Sequence, residues 1–336
     1  MKNKAILIVA GEPNSIFLEI FFKSLINNNF KTPIILIASK DLLIKQMKQL
    51  KFNFKINLIN EKNIFLNVLN NKKINIINID YKFKKNFNKI SKNSNTYIEN
   101  CFNTALSLLK TNTFTGLING PISKKTFLKE KFFGMTEYFA SKTLNKDKFA
   151  MLIYNKKLSV SPLTTHIPLK DVYKSITKNK IINLVILINE FYKKKFKKIP
   201  KIAITGLNPH CESNYNNSEE EKIIKPAIKS LIKKKFNVNG PFPADTIFMQ
   251  KISKKYDVVI GMYHDQVLVP MKTLFGFDAI NITLGLPFIR ISPDHGPNEK
   301  MIGLNKSNPQ SLIQAIKFLD IKWILNLKKV LDKTSW

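Results

Sequence analysis

Short apolar runs that end in glycine and then in polar residues recur along the chain. Residues 5–10 enter Gly11-Glu12-Pro13, and residues 116–119 enter Gly120-Pro121. Residues 202–205 enter Gly206-Leu207-Asn208-Pro209-His210, and residues 258–260 enter Gly261-Met262-Tyr263-His264-Asp265-Gln266. A further apolar run covers 33–38. Each run has strand length and the hydrophobicity of a strand covered on both faces, and in the first four a glycine marks the turn after it. Between the runs, helical patterns cover 97–109 and 181–196, the second apolar first and lysine-rich later, where cations complement the helix dipole. Ser218 followed by Glu221 has the form of a capping box, opening a helix that is expected to reach about residue 235. Strands alternating with helices predict a mainly parallel α/β sheet. In such sheets ligands bind beyond the carboxyl ends of the strands, which is where the two histidine-bearing turns are expected. Residues 70–95 are rich in Lys and Asn and are expected to form, in part, a surface loop. There is no internal repeat, no Gly-x-Gly-x-x-Gly after a strand and no Walker sequence, so the ordinary dinucleotide fingerprint is absent.

The length of 336 residues suits one large or two ordinary α/β domains, and 44% hydrophobic residues suit a globular core. The apolar stretch after Lys4 is broken at once by Gly11, Glu12 and Pro13, so no secretory signal is expected. No window reaches the roughly 18 apolar residues of a membrane span. Two cysteines, Cys101 and Cys211, make no disulfide framework. These points lead to the expectation of a cytoplasmic protein without a membrane partner. The net charge of +32 invites a nucleic-acid reading, but of 55 basic residues only Arg290 is an arginine. Nucleic-acid recognition leans on the bidentate guanidinium, and Lys, Asn, Ile and Phe crowd every segment, as AT-rich codons would dictate. No nucleic-acid partner is expected, although the charge should still concentrate anionic substrates.

Against that background the rare residues carry information. The four histidines, His166, His210, His264 and His295, all lie in polar, turn-like segments from about mid-chain onward. Neutral imidazoles are common ligands of zinc and similar metals, and three of them with an open position make a catalytic geometry. The spacing alone favours loop histidines that hold turns, because no two of the four lie within a local ligand motif. Arg290 offers a planar fork for carboxylate or phosphate, with Lys272 and Asn281 as plausible companions, unless it serves a structural ion pair. Asp265 is either a carboxylate behind a ligand histidine or a substrate contact. His295, in Ser292-Pro293-Asp294-His295-Gly296, either meets a cofactor or holds a turn. Asp245 is either the N-cap of a following helix or catalytic.

Together these segments resemble the 4-hydroxythreonine-4-phosphate dehydrogenase family. The resemblance is carried by Gly134-Met135-Thr136-Glu137, Thr164-Thr165-His166-Ile167-Pro168-Leu169, Gly206-Leu207-Asn208-Pro209-His210, Gly240-Pro241-Phe242-Pro243-Ala244-Asp245-Thr246, Tyr263-His264-Asp265-Gln266 and the stretch from Gly276-Phe277 to Arg290, in family order. Gly11-Glu12-Pro13 and Asn119-Gly120-Pro121 add a weaker N-terminal match. The resemblance implies two α/β/α domains similar to those of isocitrate and isopropylmalate dehydrogenases. They would comprise approximately 1–130 with 270–336, and 131–269, with the active site in the cleft between them. It implies NAD- or NADP-dependent oxidation of 4-phosphooxy-L-threonine and loss of carbon dioxide to give 3-amino-2-oxopropyl phosphate, in pyridoxine 5'-phosphate biosynthesis. It assigns His166, His210 and His264 to a divalent metal (Zn, Mg or Co) at a site shared across a homodimer. Met135, Thr136, Lys272, Asn281 and Arg290 fall on substrate positions. His295 is the cofactor candidate, and Lys272 and Asp265 are the catalytic candidates, with the general base unassigned. The chain departs from the family pattern at Met135 and Ser123, each in place of a histidine. It also departs at residues 14–17, 213–218 and 297–300, which lack the usual glycines or small and acidic residues. Methionine donates no hydrogen bond to phosphate, so weaker phosphate binding is expected. A dehydrogenase of threonate or erythronate 4-phosphate, a basic nucleic-acid-binding protein and an inactive relative are the competing readings.

Overall fold

The computed structural model describes residues 4–26, 28–111, 113–128, 132, 134–143, 149–211 and 217–320. Its strands are β1 (Ala5–Val9), β2 (Ile34–Ala38), β3 (Ile56–Leu58), β4 (Ile74–Asn78), β5 (Phe114–Asn119), β6 (Ala150–Tyr154), β7 (Ser159–Pro162), β8 (Ile202–Thr205), β9 (Val238–Phe242), β10 (Val258–Gly261), β11 (Ile280–Leu284) and β12 (Arg290–Pro293). Its α-helices are α1 (Phe17–Leu25), α2 (Lys40–Gln49), α3 (Asn95–Leu109), α4 (Met135–Ser141), α5 (Val172–Ser175), α6 (Lys178–Phe196), α7 (Lys225–Lys233), α8 (Gln250–Ser253), α9 (His264–Phe275) and α10 (Gln310–Leu319). The chain divides into two compact units, Met1–Phe132 with Phe288–Trp336, and Phe133–Pro287.

In the first unit the strand order is β3-β4-β2-β1-β5-β12, and every pairing in it is parallel. β1 and β2 are buried at every position, which is why their sequences show no polar alternation. Helix α3 packs across β1, β2 and β5, while α10 lies on β5 and β12 with α1 against it. The Lys- and Asn-rich stretch expected to be partly loop contains β4, a strand between β3 and β2 whose first four residues are buried. Composition hid it because Asn75 turns inward, donating to the carbonyls of Ile34 and Asn70 at 3.0 and 2.9 Å.

In the second unit the order is β11-β6-β7-β10-β8-β9. β7, β10, β8 and β9 run parallel, and β6 is antiparallel to both its neighbours. Helices α6 and α7 pack on one another, and α9 packs on β7 and β10. Leu158, Val160, Ala203, Val259, Val267, Leu268 and Met271 form the core beneath α9. Thr177 caps α6, accepting the Lys180 N–H at 3.2 Å, and Lys197 ends that helix in a left-handed conformation.

Two local expectations are corrected. The Ser218 box forms only by half. The Ser218 hydroxyl accepts the Glu221 N–H at 3.3 Å, but the Glu221 carboxylate pairs with Lys225 instead of returning to the cap. The segment Glu220–Ile224 is wound as a π-helix, and α-helical winding covers only Lys225–Lys233. Pro226 sits in the first turn of α7, where it has no N–H to give to the preceding turn. Asp245 is not an N-cap: it lies in turns closed by the Ile247 N–H on the Pro243 carbonyl, and α8 begins at Gln250 with Met249 as its cap.

Candidate active site

Three of the four histidines follow neighbouring parallel strands. β10 lies between β7 and β8, so the carboxyl ends of all three open on one edge of the sheet. His166 follows β7, His210 follows β8, and His264 is the first residue of α9 after β10. The segment before His166 is tied to the β10 turn. Leu163 N–H donates to Gly261 O at 2.8 Å, and the Thr164 N–H and hydroxyl donate to Met262 O at 3.2 and 2.8 Å. The His166 and His264 ring centroids stand 5.9 Å apart, inclined at 39°. His264 Nδ1 lies 2.6 Å from Asp265 Oδ1, which orients the ring and leaves Nε2 as its other nitrogen. His210 is held in a left-handed turn with φ 57°. Among the described residues, no three His, Cys, Asp or Glu side chains of one chain converge as a metal site.

Two buried side chains without an assigned role in the sequence reading shape these turns. The Glu220 carboxylate, 0% exposed, accepts the Leu207 and Asn208 N–H groups at 2.8 Å each and the Asn208 side-chain amide at 2.9 Å. Burial pushes its carboxyl up, but the Asn208 and Leu207 donors win and hold it below its ordinary value. The Gln266 oxygen accepts the Thr205 hydroxyl at 2.9 Å and the Met262 N–H at 2.6 Å, and its nitrogen donates to Gly206 O at 2.9 Å. An uncharged amide two residues after a histidine, and a carboxylate beside a helix start, were the only sequence signals available for them.

The substrate candidates are distributed. Thr136, in the first turn of α4, places its hydroxyl 3.5 Å from that of Thr283. Asn281 is two residues earlier on β11 and shares the Thr283 face, and its buried side-chain oxygen meets no hydrogen-bond partner. Met135, half-buried, begins α4 after Gly134. A Cβ at Gly134 would stand 3.0 Å from Glu137 Oε2 and 3.4 Å from His166 Cε1, so glycine lets α4 start against the His166 ring. A cavity of about 270 Å³ lies beside this corner, lined by Thr136, Glu137, Thr165 and Lys180 among others. Lys272 is not brought to the histidines: it is exposed in the last turn of α9, two helical turns beyond His264 and about 12 Å along the axis.

In the first unit Arg290 is 2% exposed and donates through Nε to Asn119 Oδ1 at 2.7 Å, at the carboxyl end of β5. At the end of β1, Glu12 is 1% exposed and accepts the Asn14 N–H at 3.1 Å and the Ser94 hydroxyl at 3.0 Å. Burial pushes its carboxyl up despite those bonds. His295 packs near Phe17, with centroids 6.4 Å apart, and neither ring nitrogen has a hydrogen-bond partner. The Ser123 hydroxyl accepts the Thr126 N–H at 3.4 Å. Of the departures from the family pattern, residues 213–216 lie outside the described residues.

Parallel sheets whose chemistry-bearing residues gather beyond the strand ends define an α/β enzyme of the strand-end type. Comparison with known proteins narrows the class. Residues 29–319 match the family described as "Pyridoxal phosphate biosynthetic protein PdxA". A "4-hydroxythreonine-4-phosphate dehydrogenase" of Sulfurihydrogenibium sp. (strain YO3AOP1) is 40% identical over 322 residues, 92% of this chain and 95% of the relative. The crystal structure of "4-hydroxythreonine-4-phosphate Dehydrogenase from Klebsiella pneumoniae" superposes with a TM-score of 0.82 at 28% identity, covering 94% of this chain and 98% of that one. A "D-threonate 4-phosphate dehydrogenase" of Pectobacterium atrosepticum is 33% identical over 220 residues, 65% of this chain and 67% of the relative. The chain belongs to the PdxA family of pyridoxal phosphate biosynthetic proteins.

Proposed function

We propose that this protein is a metal-assisted, NAD- or NADP-dependent dehydrogenase. It would oxidise 4-phosphooxy-L-threonine to 2-amino-3-oxo-4-phosphooxybutanoate, which loses carbon dioxide to give 3-amino-2-oxopropyl phosphate, in pyridoxine 5'-phosphate biosynthesis. The names of the similar proteins support the reaction. The observation that carries the site is the approach of the His166 and His264 rings to 5.9 Å, with the Asp265 carboxylate on Nδ1 of His264.

The residues fit a divalent cation. Imidazole nitrogens bind zinc and similar metals at about 2.0–2.1 Å, so two rings at this separation can face one ion. His210, after the neighbouring strand β8, would supply a third imidazole only in a site completed by a second copy of the chain. His166 and His210 are exposed and His264 half-buried, which suits a site completed by a second copy of the chain. Large apolar side chains stand exposed close to the histidines in sequence, Leu169 and Tyr173 after His166, and Val269 and Leu274 after His264. A homodimer partner would cover such side chains if they form one patch. A bound metal would supply Lewis acidity toward the substrate hydroxyl, and a bound nicotinamide would supply the hydride acceptor.

The chain's own residues then orient and hold. Asn281, with its unpaired buried oxygen, accepts a donor from the substrate, and Thr136 offers a hydroxyl on the same face. By the family resemblance Arg290 and Lys272 are the cationic candidates for the phosphate, the first as a planar fork and the second as a point charge, although Lys272 stands two helical turns from His264. Met135 offers only apolar contact where a histidine would donate. His295, with both ring nitrogens buried and unpaired, is suited to the paired donor and acceptor of a carboxamide or a base edge of the dinucleotide. Asp265 holds the His264 tautomer.

A metabolite substrate, free Cys101 and Cys211, and the absence among the described residues of any helix long and apolar enough to cross a membrane favour a cytoplasmic setting. The D-threonate 4-phosphate relative motivates a second reading, in which a hydroxyl replaces the substrate amine. The deciding experiment follows NAD(P)H formation from 4-phosphooxy-L-threonine and from D-threonate 4-phosphate, each with and without a chelator. Chelator-sensitive turnover favouring the amino acid is expected. Preference for the threonate ester would transfer the assignment, and chelator-insensitive turnover would remove the metal.

A further inference from the structure

We infer that Glu220 and Gln266 are positioning residues for the metal site, clamping the two turns that present His210 and His264. This rests on the metal reading above. Both are buried, and both commit their polar atoms to those turns. Glu220 places a fully buried carboxylate on Leu207 N–H, Asn208 N–H and the Asn208 amide, at 2.8, 2.8 and 2.9 Å, two residues before His210. Gln266 joins the end of β8 to the turn after β10 through Thr205, Gly206 and Met262, at 2.9, 2.9 and 2.6 Å, two residues after His264.

The clamp matters because the turn it holds is otherwise unfavourable. His210 and Cys211 both have φ 57°, a left-handed conformation that residues with a side chain adopt only under constraint. The turn also folds tightly on itself: a Cβ on Gly206 would stand 2.7 Å from Cys211 Sγ and 3.0 Å from Glu220 Oε1. Hydrogen bonds to an ionised acceptor are short and strong, and a fully satisfied buried network stiffens what it joins. A stiff turn presents its imidazole in one place, so the ligand is ordered before the metal arrives.

Cobalt(II) serves as the probe, because its visible bands report the geometry of its ligands independently of turnover. The metal-stripped full-length protein is titrated with Co²⁺ alone. Affinity is measured by competition with a chromophoric chelator, and the melting temperature of the stripped protein is recorded alongside. The variants are Glu220→Gln and Gln266→Leu, with Lys225→Ala as a control that breaks the neighbouring surface pair. Both clamp variants are expected to bind Co²⁺ about 10–100-fold more weakly, with altered visible bands, while the control matches wild type. A lowered melting temperature with unchanged Co²⁺ affinity and spectrum would show a structural role only and overturn the inference. Wild-type protein that binds no Co²⁺ would instead remove the metal reading, and this inference with it. If Gln266→Leu fails to fold, Gln266→Glu, which keeps the acceptor and loses the donor to Gly206, decides in its place.

Discussion

His295 shows how one enclosed side chain couples to pH. Burial lowers its pKa from 6.5 to about 4, and the Gly296 backbone and the Asp294 charge, which favour the protonated ring, do not offset it. The folded protein therefore keeps this imidazole neutral where the unfolded chain takes up a proton. Above pH 6.5 neither state is protonated and the residue adds no pH dependence. As the pH falls from 6.5 to about 4 the unfolded state binds the extra proton and stability declines. At about 1.4 kcal/mol per unit the loss is at most about 3.5 kcal/mol. Urea unfolding of wild type and His295→Gln at pH 7 and pH 4.5 checks this. Wild type should lose more stability over the interval, and parallel losses would reject the assignment. Arg290 is a second case in which context outweighs residue type. Its rarity in a lysine-rich chain singled it out, but its burial against Asn119 is a property of β12 beside β5 that no composition reveals.

The strand-to-turn junctions are where backbone geometry and chemistry meet. Gly11 leaves β1 with φ 77°, and a Cβ there would lie 2.4 Å from the Pro121 carbonyl oxygen. Two penalties follow from adding a methyl group, a left-handed backbone for a non-glycine residue and a clash with main chain that cannot swing aside. Gly11→Ala is expected to destabilise the protein by at least about 1–3 kcal/mol, seen as a lower melting temperature in the metal-free protein. An unchanged melting temperature would mean that the β1 and β5 turns do not approach as described. The junction also explains why Glu12 follows the glycine. It is drawn into the turn to accept Asn14 N–H and the Ser94 hydroxyl, and so links the end of β1 to the start of α3. The half-formed capping box belongs to the same class of local detail. Ser218 and Glu221 have the right spacing, but the next turn contains Pro226, and Glu220 is pulled inward by the β8 turn.

The net charge of +32 surrounds the whole chain with a positive field. An anionic phosphate ester approaches faster in that field, and salt shortens its range from about 30 Å at 0.01 M to about 8 Å at 0.15 M. The Michaelis constant for the phosphorylated substrate is expected to rise, and kcat/KM to fall, over that range of potassium chloride. Initial rates at fixed pH measure it, and invariant constants would confine the electrostatics to the site itself. The apolar runs and their terminal glycines located β1, β2, β5, β8 and β10 and the turns that follow them, because hydrophobic burial and glycine punctuation are encoded by neighbours in the chain. The motifs likewise named the histidines. Their arrangement was not encoded locally. β10 inserts between β7 and β8, the His166 and His264 rings approach, and Gln266 reaches Gly206 across 60 residues of sequence. Such pairings depend on which strands share a ladder and in what register, and that is settled by packing among segments remote from one another along the chain.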